Sequence, residues 1–237
     1  MEDFVDFFNQ DSLDNFSLLQ LNIRSLTKNF DRLKYFLHIL NHNFSVVGLT
    51  ETWLNSNSCL NQFRLPGFTL VTKNREGRMG DGVAPYISSD LLYVSRPDLN
   101  KLSNNSFECI FIEIIMANRV KNAVVGIVYK APNANFDEFI SSCQTMFRHL
   151  GKENKKKIIS GDFNINLLNS GNRQLQEFLD ITYTSSCLPL IHKPTRVTSS
   201  SATLIDNIFT NILPLPKSGV IVTDLSDHFS SIHYTPS

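Results

Sequence analysis

The stretch Lys157-Ile158-Ile159-Ser160-Gly161-Asp162-Phe163-Asn164 runs from an apolar β-type segment straight into a carboxylate and an amide. Strand ends commonly carry sites, because the backbone there is rigid while the side chains face an opening. Taken alone, Gly161-Asp162-Phe163-Asn164 reads equally well as a turn, since Gly, Asp and Asn tolerate left-handed and Asx-turn geometry. The same arrangement recurs along the chain. Asn22 closes a short strand from Ser17, Glu51 follows an apolar run from Phe44 to Thr50, Tyr129 closes Ala123–Tyr129, and Asp227-His228 precede Ser230–Tyr234. Each has a bland alternative: Thr50-Glu51-Thr52-Trp53 also fits a capped helix start, Asp206-Asn207 a plain strand-end pair, and a lone His228 is more often structural.

Working outward, apolar spacing at Phe30, Leu33, Leu37 and Leu40 predicts a helix after the first strand. A second amphipathic helix is predicted over Phe136, Phe139, Ile140, Cys143, Phe147 and Leu150, with Asn135 as N-cap and Gly151 as stop. A third spans Arg173–Tyr183. Further β-rich runs are Phe68–Thr72, Gly82–Ile87, Phe107–Met116, Leu188–His192, Ile205–Thr210 and Gly219–Val222. Many strands with few helices point to an α/β or α+β sandwich, with residues 16–237 as the domain and 1–15 as an N-terminal extension carrying Phe4, Val5, Phe7 and Phe8. The run Lys152-Glu153-Asn154-Lys155-Lys156-Lys157 reads as a solvated loop.

Of 237 residues, 42% are hydrophobic and 18 are Phe, enough for a substantial core and against disorder. Lys plus Arg and Asp plus Glu balance at 22 each, so any affinity for nucleic acid must come from local patches. Cys59, Cys109, Cys143 and Cys187 are scattered without metal-ligand spacing, the pattern of reduced thiols in an intracellular protein. The start Met1-Glu2-Asp3-Phe4 lacks a secretory signal, and no apolar stretch reaches membrane-spanning length.

The strand-end residues make chemical sense together. Phosphodiester hydrolysis needs a cation to offset phosphate charge, a group to orient or deprotonate water, and donors for the non-bridging oxygens. Carboxylates, amides, a phenol and an imidazole supply these, and an oxygen-rich donor set suits Mg²⁺ or Mn²⁺ rather than zinc.

Six segments in order, Leu21-Asn22-Ile23-Arg24-Ser25-Leu26, Leu49-Thr50-Glu51-Thr52-Trp53-Leu54, Val128-Tyr129-Lys130-Ala131-Pro132-Asn133, Gly161-Asp162-Phe163-Asn164, Leu204-Ile205-Asp206-Asn207-Ile208-Phe209 and Leu225-Ser226-Asp227-His228-Phe229, resemble the motifs of the exonuclease-endonuclease-phosphatase superfamily. The wording Thr-Glu-Thr-Trp-Leu, Gly-Asp-Phe-Asn-Ile-Asn and Thr-Asp-Leu-Ser-Asp-His is similar to the endonuclease domains of non-LTR (LINE-like) retrotransposons. The resemblance implies a four-layer α/β sandwich of two packed sheets flanked by helices. It also implies Mg²⁺-dependent nicking of double-stranded DNA to a 3′-hydroxyl that primes a fused or partnering reverse transcriptase, in a monomeric, nuclear-acting domain.

Carried over, Glu51 would hold the metal with Asn22 beside it and Asp227 near it. Asp162 would orient or deprotonate water, and Asn164 and Tyr129 would bind phosphate. Asp206 would accept from one imidazole nitrogen of His228 while the other donates to a phosphate oxygen. Asn133, Thr203 and Ser226 would contact phosphate or DNA. Two departures stand out. A usual Gly-Gly-Gly-Val-Ala-Ile-Tyr reads Gly80-Asp81-Gly82-Val83-Ala84-Pro85-Tyr86, placing a proline inside a strand, and Ser230-Ser231 replace a proline and an aliphatic residue. Both read as drift or as an edge strand. An abasic-site repair nuclease, a small-molecule phosphatase and a domesticated non-catalytic protein remain the competing readings.

Overall fold

A computed structural model describes residues 16–73, 81–116 and 121–235. The extension 1–15 and Gly80 lie outside them. The chain opens with β1 (Phe16–Asn22), α1 (Leu26–Leu40) and β2 (Val46–Thr50). Strands β1 and β2 are parallel, which requires the crossover that α1 supplies. Ser25 caps α1 by accepting from the Lys28 N–H, and Asn41 ends it in the left-handed region.

After β3 (Phe68–Leu70) and β4 (Val83–Ser88) come β5 (Tyr93–Ser95), a one-turn α2 (Pro97–Asn100), β6 (Glu108–Ile114) and β7 (Ala123–Tyr129). A second parallel crossover follows through α3 (Phe136–Gly151) to β8 (Lys156–Asp162), then α4 (Arg173–Thr184). The Asn135 side chain caps α3, and Gly151 is its last residue rather than a stop beyond it. The chain ends in β9 (Leu188–Pro189), the hairpin β10 (Arg196–Val197) and β11 (Ala202–Thr203), β12 (Asp206–Thr210), β13 (Lys217–Ile221) and β14 (Ser230–Thr235).

One sheet has the order β13-β14-β1-β2-β4-β3 and the other β5-β6-β7-β8-β12-β9. Alternation along β1 separates its two faces: Leu19 and Leu21 pack with Leu26, Phe30 and Leu33 of α1, while Phe16 and Leu18 join Ile110, Val125, Ile127, Ile158 and Ile208 of the second sheet. The outer face of that sheet packs Phe111, Val128, Ile159 and Phe209 against Phe139, Phe147 and Phe178 of α3 and α4. Three apolar layers thus separate four structural layers, the sandwich the resemblance implies.

Local differences from the sequence expectations have physical causes. The strand expected over Leu188–His192 stops at Pro189: Leu190 still donates to the Ile208 carbonyl, but it shares that N–H with the Asn207 side chain, which also takes the N–H of Ile191. Pro85 sits in β4, inside the sheet between β2 and β3 rather than on an edge. Its carbonyl accepts from Val71, so its missing donor points the same way, where β3 has already ended, and the ladder to β2 is spared. β14 is likewise interior, flanked by β13 and β1, so Ser230 and Ser231 are buried and not at an edge. The lysine run is only partly solvated: Lys155 bridges Glu113 and Glu153 at 2.7 Å each, beside Arg96, and Lys157 is buried. It lies at the opposite end of β8 from Asp162.

Candidate active site

Register assembles the site. In three neighbouring strands Tyr129 of β7, Asp162 of β8 and Asp206 of β12 stand side by side as Cα partners. From the other sheet, Asn22 ends β1 beside Thr50 of β2, and Glu51 follows immediately. The Asn22 amide nitrogen joins the two halves, donating at 2.9 Å to Glu51 Oε1 and at 2.9 Å to Asp162 Oδ2. Behind it, Gln20 donates to Thr50 Oγ1 and accepts from Ser160, a polar bridge between the sheets just below the site.

Close approach at Gly161 makes this register possible. A Cβ built there would lie 1.8 Å from the Val128 carbonyl oxygen, so no other residue lets β7 and β8 meet beside Asp162. Backbone strain also concentrates here. Arg24, Ser25, Glu51, Trp53, Asp81 and Asn164, none of them glycine, all have positive φ, and each lies within three residues of a strand end at this site. Such conformations cost about 1–3 kcal/mol each and persist where the surroundings over-determine them.

His228 Nδ1 is 2.9 Å from Asp206 Oδ2 and 4.0 Å from Asp162 Oδ2, with all three side chains buried. Burial pulls the imidazole down, but the carboxylates of Asp206, Asp162 and Asp227 outweigh it and raise His228 to about 9. The imidazole is therefore charged at neutral pH and donates Nδ1–H to Asp206. Burial, then the charge of Asp206, raises the Asp162 carboxyl, against the opposing pull of His228 and the N–H donors of Asn164 and Asn22. Ser226 ties this segment down, its hydroxyl donating to the Asn22 carbonyl at 2.7 Å and accepting from the His228 N–H at 3.1 Å.

Tyr129 is buried, and its phenol is held neutral first by burial and then by the charges of Glu51, Asp81 and Asp162; it donates to the Asp81 carboxylate. Asp81 is a site residue the sequence reasoning passes over, treating its segment only as a strand departure. Asn164 donates from its amide to the Lys130 carbonyl at 2.8 Å, and its N–H donates to Asp162. Asn133 is exposed in the turn after β7, and Thr203 lies on β11 with its hydroxyl toward the Arg196 carbonyl. Asp227 stands apart from the cluster chemically: Oδ1 accepts from Arg24 and Oδ2 from Arg196.

The donor set suits a divalent cation. Carboxylate oxygens of Asp162 and Asp206 lie within 4.8 Å of one another, and Asp206 Oδ1 is buried with no hydrogen-bond partner among the described residues, whereas His228, protonated at Nδ1, is not itself a ligand. Burial and the charge of Asp206 hold a proton on Asp162 that a hard ion would displace, and Glu51 and Asp206 beside a single imidazolium leave negative charge for it to balance.

No family model and no curated protein matches the chain. Solved structures do. The endonuclease domain of TRAS1, a telomere-specific non-LTR retrotransposon, aligns with a TM-score of 0.71 at 17% identity, over 93% of this chain and 97% of that one. An AP endonuclease from Leishmania major aligns at 0.75 and 13% identity, over 96% and 89%. TDP2 from D. rerio, complexed with a single-strand DNA product, aligns at 0.69 and 12% identity, over 95% and 100%. The chain has the endonuclease/exonuclease/phosphatase fold. Among the structures that share it, a retrotransposon endonuclease domain matches this one nearly end to end. No helix among the described residues is long and apolar enough to cross a membrane.

Proposed function

We propose that this chain is a metal-dependent phosphodiesterase that nicks double-stranded DNA, the endonuclease of a LINE-like retrotransposon. The observation that carries the reading is the single constellation formed by Tyr129, Asp162 and Asp206 in register, with His228 paired to Asp206 and Asn22 linking Glu51 to Asp162. Each member fits a part of phosphodiester hydrolysis.

Mg²⁺, or Mn²⁺, held by Glu51 with Asp162 close by, would supply charge stabilisation at the phosphate. Asn22 acts as the spacer that orients those two carboxylates. Asp162, whose burial gives it unusual proton affinity for a carboxylate, would orient and deprotonate the attacking water in its ionised form, which a bound cation favours. His228 donates from Nε2 to a non-bridging oxygen while Asp206 holds the ring through Nδ1, Asn164 supplies a further neutral donor, and Tyr129 would do so by turning its single O–H from Asp81 to the phosphate. Water oxygen adds to phosphorus, its proton passing to Asp162, as the bond to the 3′ oxygen breaks and that oxygen takes up a proton from solvent, leaving a 5′-phosphate and a 3′-hydroxyl. That hydroxyl is what a reverse transcriptase would extend, which requires access to nuclear DNA. Asn133, Thr203 and Ser226 line or brace the approach.

The test is nicking of supercoiled plasmid with Mg²⁺ and in excess EDTA, with intact and abasic duplexes side by side. Nicking that needs the divalent ion and is abolished by Asp162→Asn is expected. Hydrolysis confined to abasic duplex would instead assign a repair nuclease, hydrolysis confined to small phosphoesters a phosphatase, and nicking undiminished in EDTA would overturn the metal.

A further inference from the structure

We propose that Asp227 holds Arg24 and Arg196 together as a clamp for the DNA backbone at the mouth of the site. The proposal rests on the nuclease reading above and deepens it by naming where the polyanion is gripped. Arg24 Nη1 donates to Asp227 Oδ1 at 2.8 Å, while Arg196 approaches Oδ2 through Nε at 2.9 Å and Nη2 at 2.8 Å. The three residues come from three distant segments, and each is fastened to a strand that carries the chemistry. Arg24 follows Asn22 by two positions in a left-handed conformation. Arg196 forms a β-bridge with His228. The Phe229 N–H donates to the Thr195 carbonyl, and the Thr195 hydroxyl accepts from the Asp206 N–H. Asp227 is joined to His228 of the cluster by a single peptide bond.

Both guanidinium side chains remain nearly half exposed, at 49% and 43%. Ion pairs that exposed contribute little to stability, so holding two long side chains on one carboxylate has little structural return. A guanidinium carries five N–H donors in a planar fork, more than these contacts use, and the fork matches phosphate oxygens. Two cations on one anion leave the rim positive, immediately outside an interior charged by Glu51, Asp162 and Asp206. A chain with 22 basic and 22 acidic residues has no overall field to attract DNA, so a fixed local patch is what the chemistry requires. A phosphate beside the scissile one, seated on this pair, would place the next phosphate against His228. A phosphomonoester offers no such second phosphate.

Duplex binding is measured by fluorescence anisotropy in EDTA across a salt series. Compared with the unaltered chain are Arg24→Ala, Arg196→Ala, Asp227→Asn, and, as a charge-matched control, Arg148→Ala on α3. Each phosphate contact contributes about −0.9 to the slope of log affinity against log salt. Arg24→Ala and Arg196→Ala should each flatten the slope by roughly that amount, and Arg148→Ala should not. Asp227→Asn should weaken binding, although it removes a negative charge, because the arginines lose their anchor. Unchanged slopes in both arginine variants, or tighter binding by Asp227→Asn, would overturn the clamp while leaving the nuclease reading intact. Absence of duplex binding by the unaltered chain at low salt would overturn both.

Discussion

Replacing Asp206 by Asn keeps the shape of the His228 partner and removes its charge. His228 stands at about 9 against an ordinary 6.5, although burial alone would lower it, so the carboxylates, Asp206 first and then Asp162 and Asp227, together outweigh burial and produce the whole rise. A rise of this size corresponds to about 3 kcal/mol favouring the imidazolium, as an order of magnitude. At pH 7.5 about 97% of the rings are then charged, and Asp206→Asn, which removes the largest raising influence while Asp162 and Asp227 remain, should lower that fraction. In that variant the neutral rings would give Nδ1–H to the oxygen of the introduced amide and leave Nε2 without a proton to offer. Losing such a donor costs about 10²- to 10³-fold in turnover.

Single-turnover nicking from pH 5.5 to 9.5 reads this directly, alongside an NMR titration of His228 assigned by the signal missing from His228→Gln. Activity in the unaltered chain should persist toward pH 9, and that of Asp206→Asn should fall away at lower pH than in the unaltered chain. The double variant with His228→Ala should be little worse than His228→Ala alone. An unaltered chain whose His228 titrates near 6.5, or an Asp206→Asn profile that matches it, would refute the pairing as the source of the charge.

Two further outcomes follow from the same geometry. His228, raised in the folded state, contributes stability that is fully present below pH 6.5 and lost as pH rises through about 9, and Asp162, also raised, weakens the fold increasingly above its ordinary 3.8. Mg²⁺ should replace the proton and raise the Tm more at pH 8.5 than at pH 6, with Asp162→Asn shrinking the difference; calorimetry finding equal rises would tell against ion binding at the cluster. Gly161→Ala should cost roughly 1–3 kcal/mol or more in urea unfolding and abolish nicking, because its Cβ meets the Val128 backbone, and a variant with full stability and activity would show that β7 and β8 need not touch there.

Long elements are legible in the sequence because their periodicity is strong: β7 has the expected bounds, Ala123–Tyr129, and α3 starts where Asn135 predicts. Short ones are not. β5, β10 and β11 have two or three residues each, too few to show alternation, and their pairing comes from the tertiary neighbours. Within the site, the positions of Asn22, Glu51, Tyr129, Asp162, Asp206 and His228 can be read from strand endings. Partners joined only in space cannot. Arg24 and Arg196 lie at opposite ends of the chain, and nothing local to either shows that they meet on Asp227. Asp81 leaves a trace, as the acidic residue in an otherwise glycine-rich stretch, but its hydrogen bond from Tyr129 depends on how β4 lies across the second sheet.

The position of β14 bears on when activity can arise during synthesis. β14 inserts between β13 and β1, pairing Phe16 with Thr235, so β1 waits for a strand synthesised more than 200 residues later. Until then β1 lacks its antiparallel neighbour, and Ser226 and His228 are not yet anchored against the strand ends. Pairings of such separation are slow to form, since the intervening chain must be closed before contacts reward it. A nascent or prematurely terminated chain that stops before Ser230 therefore carries the residues of the candidate site without the strand that assembles them.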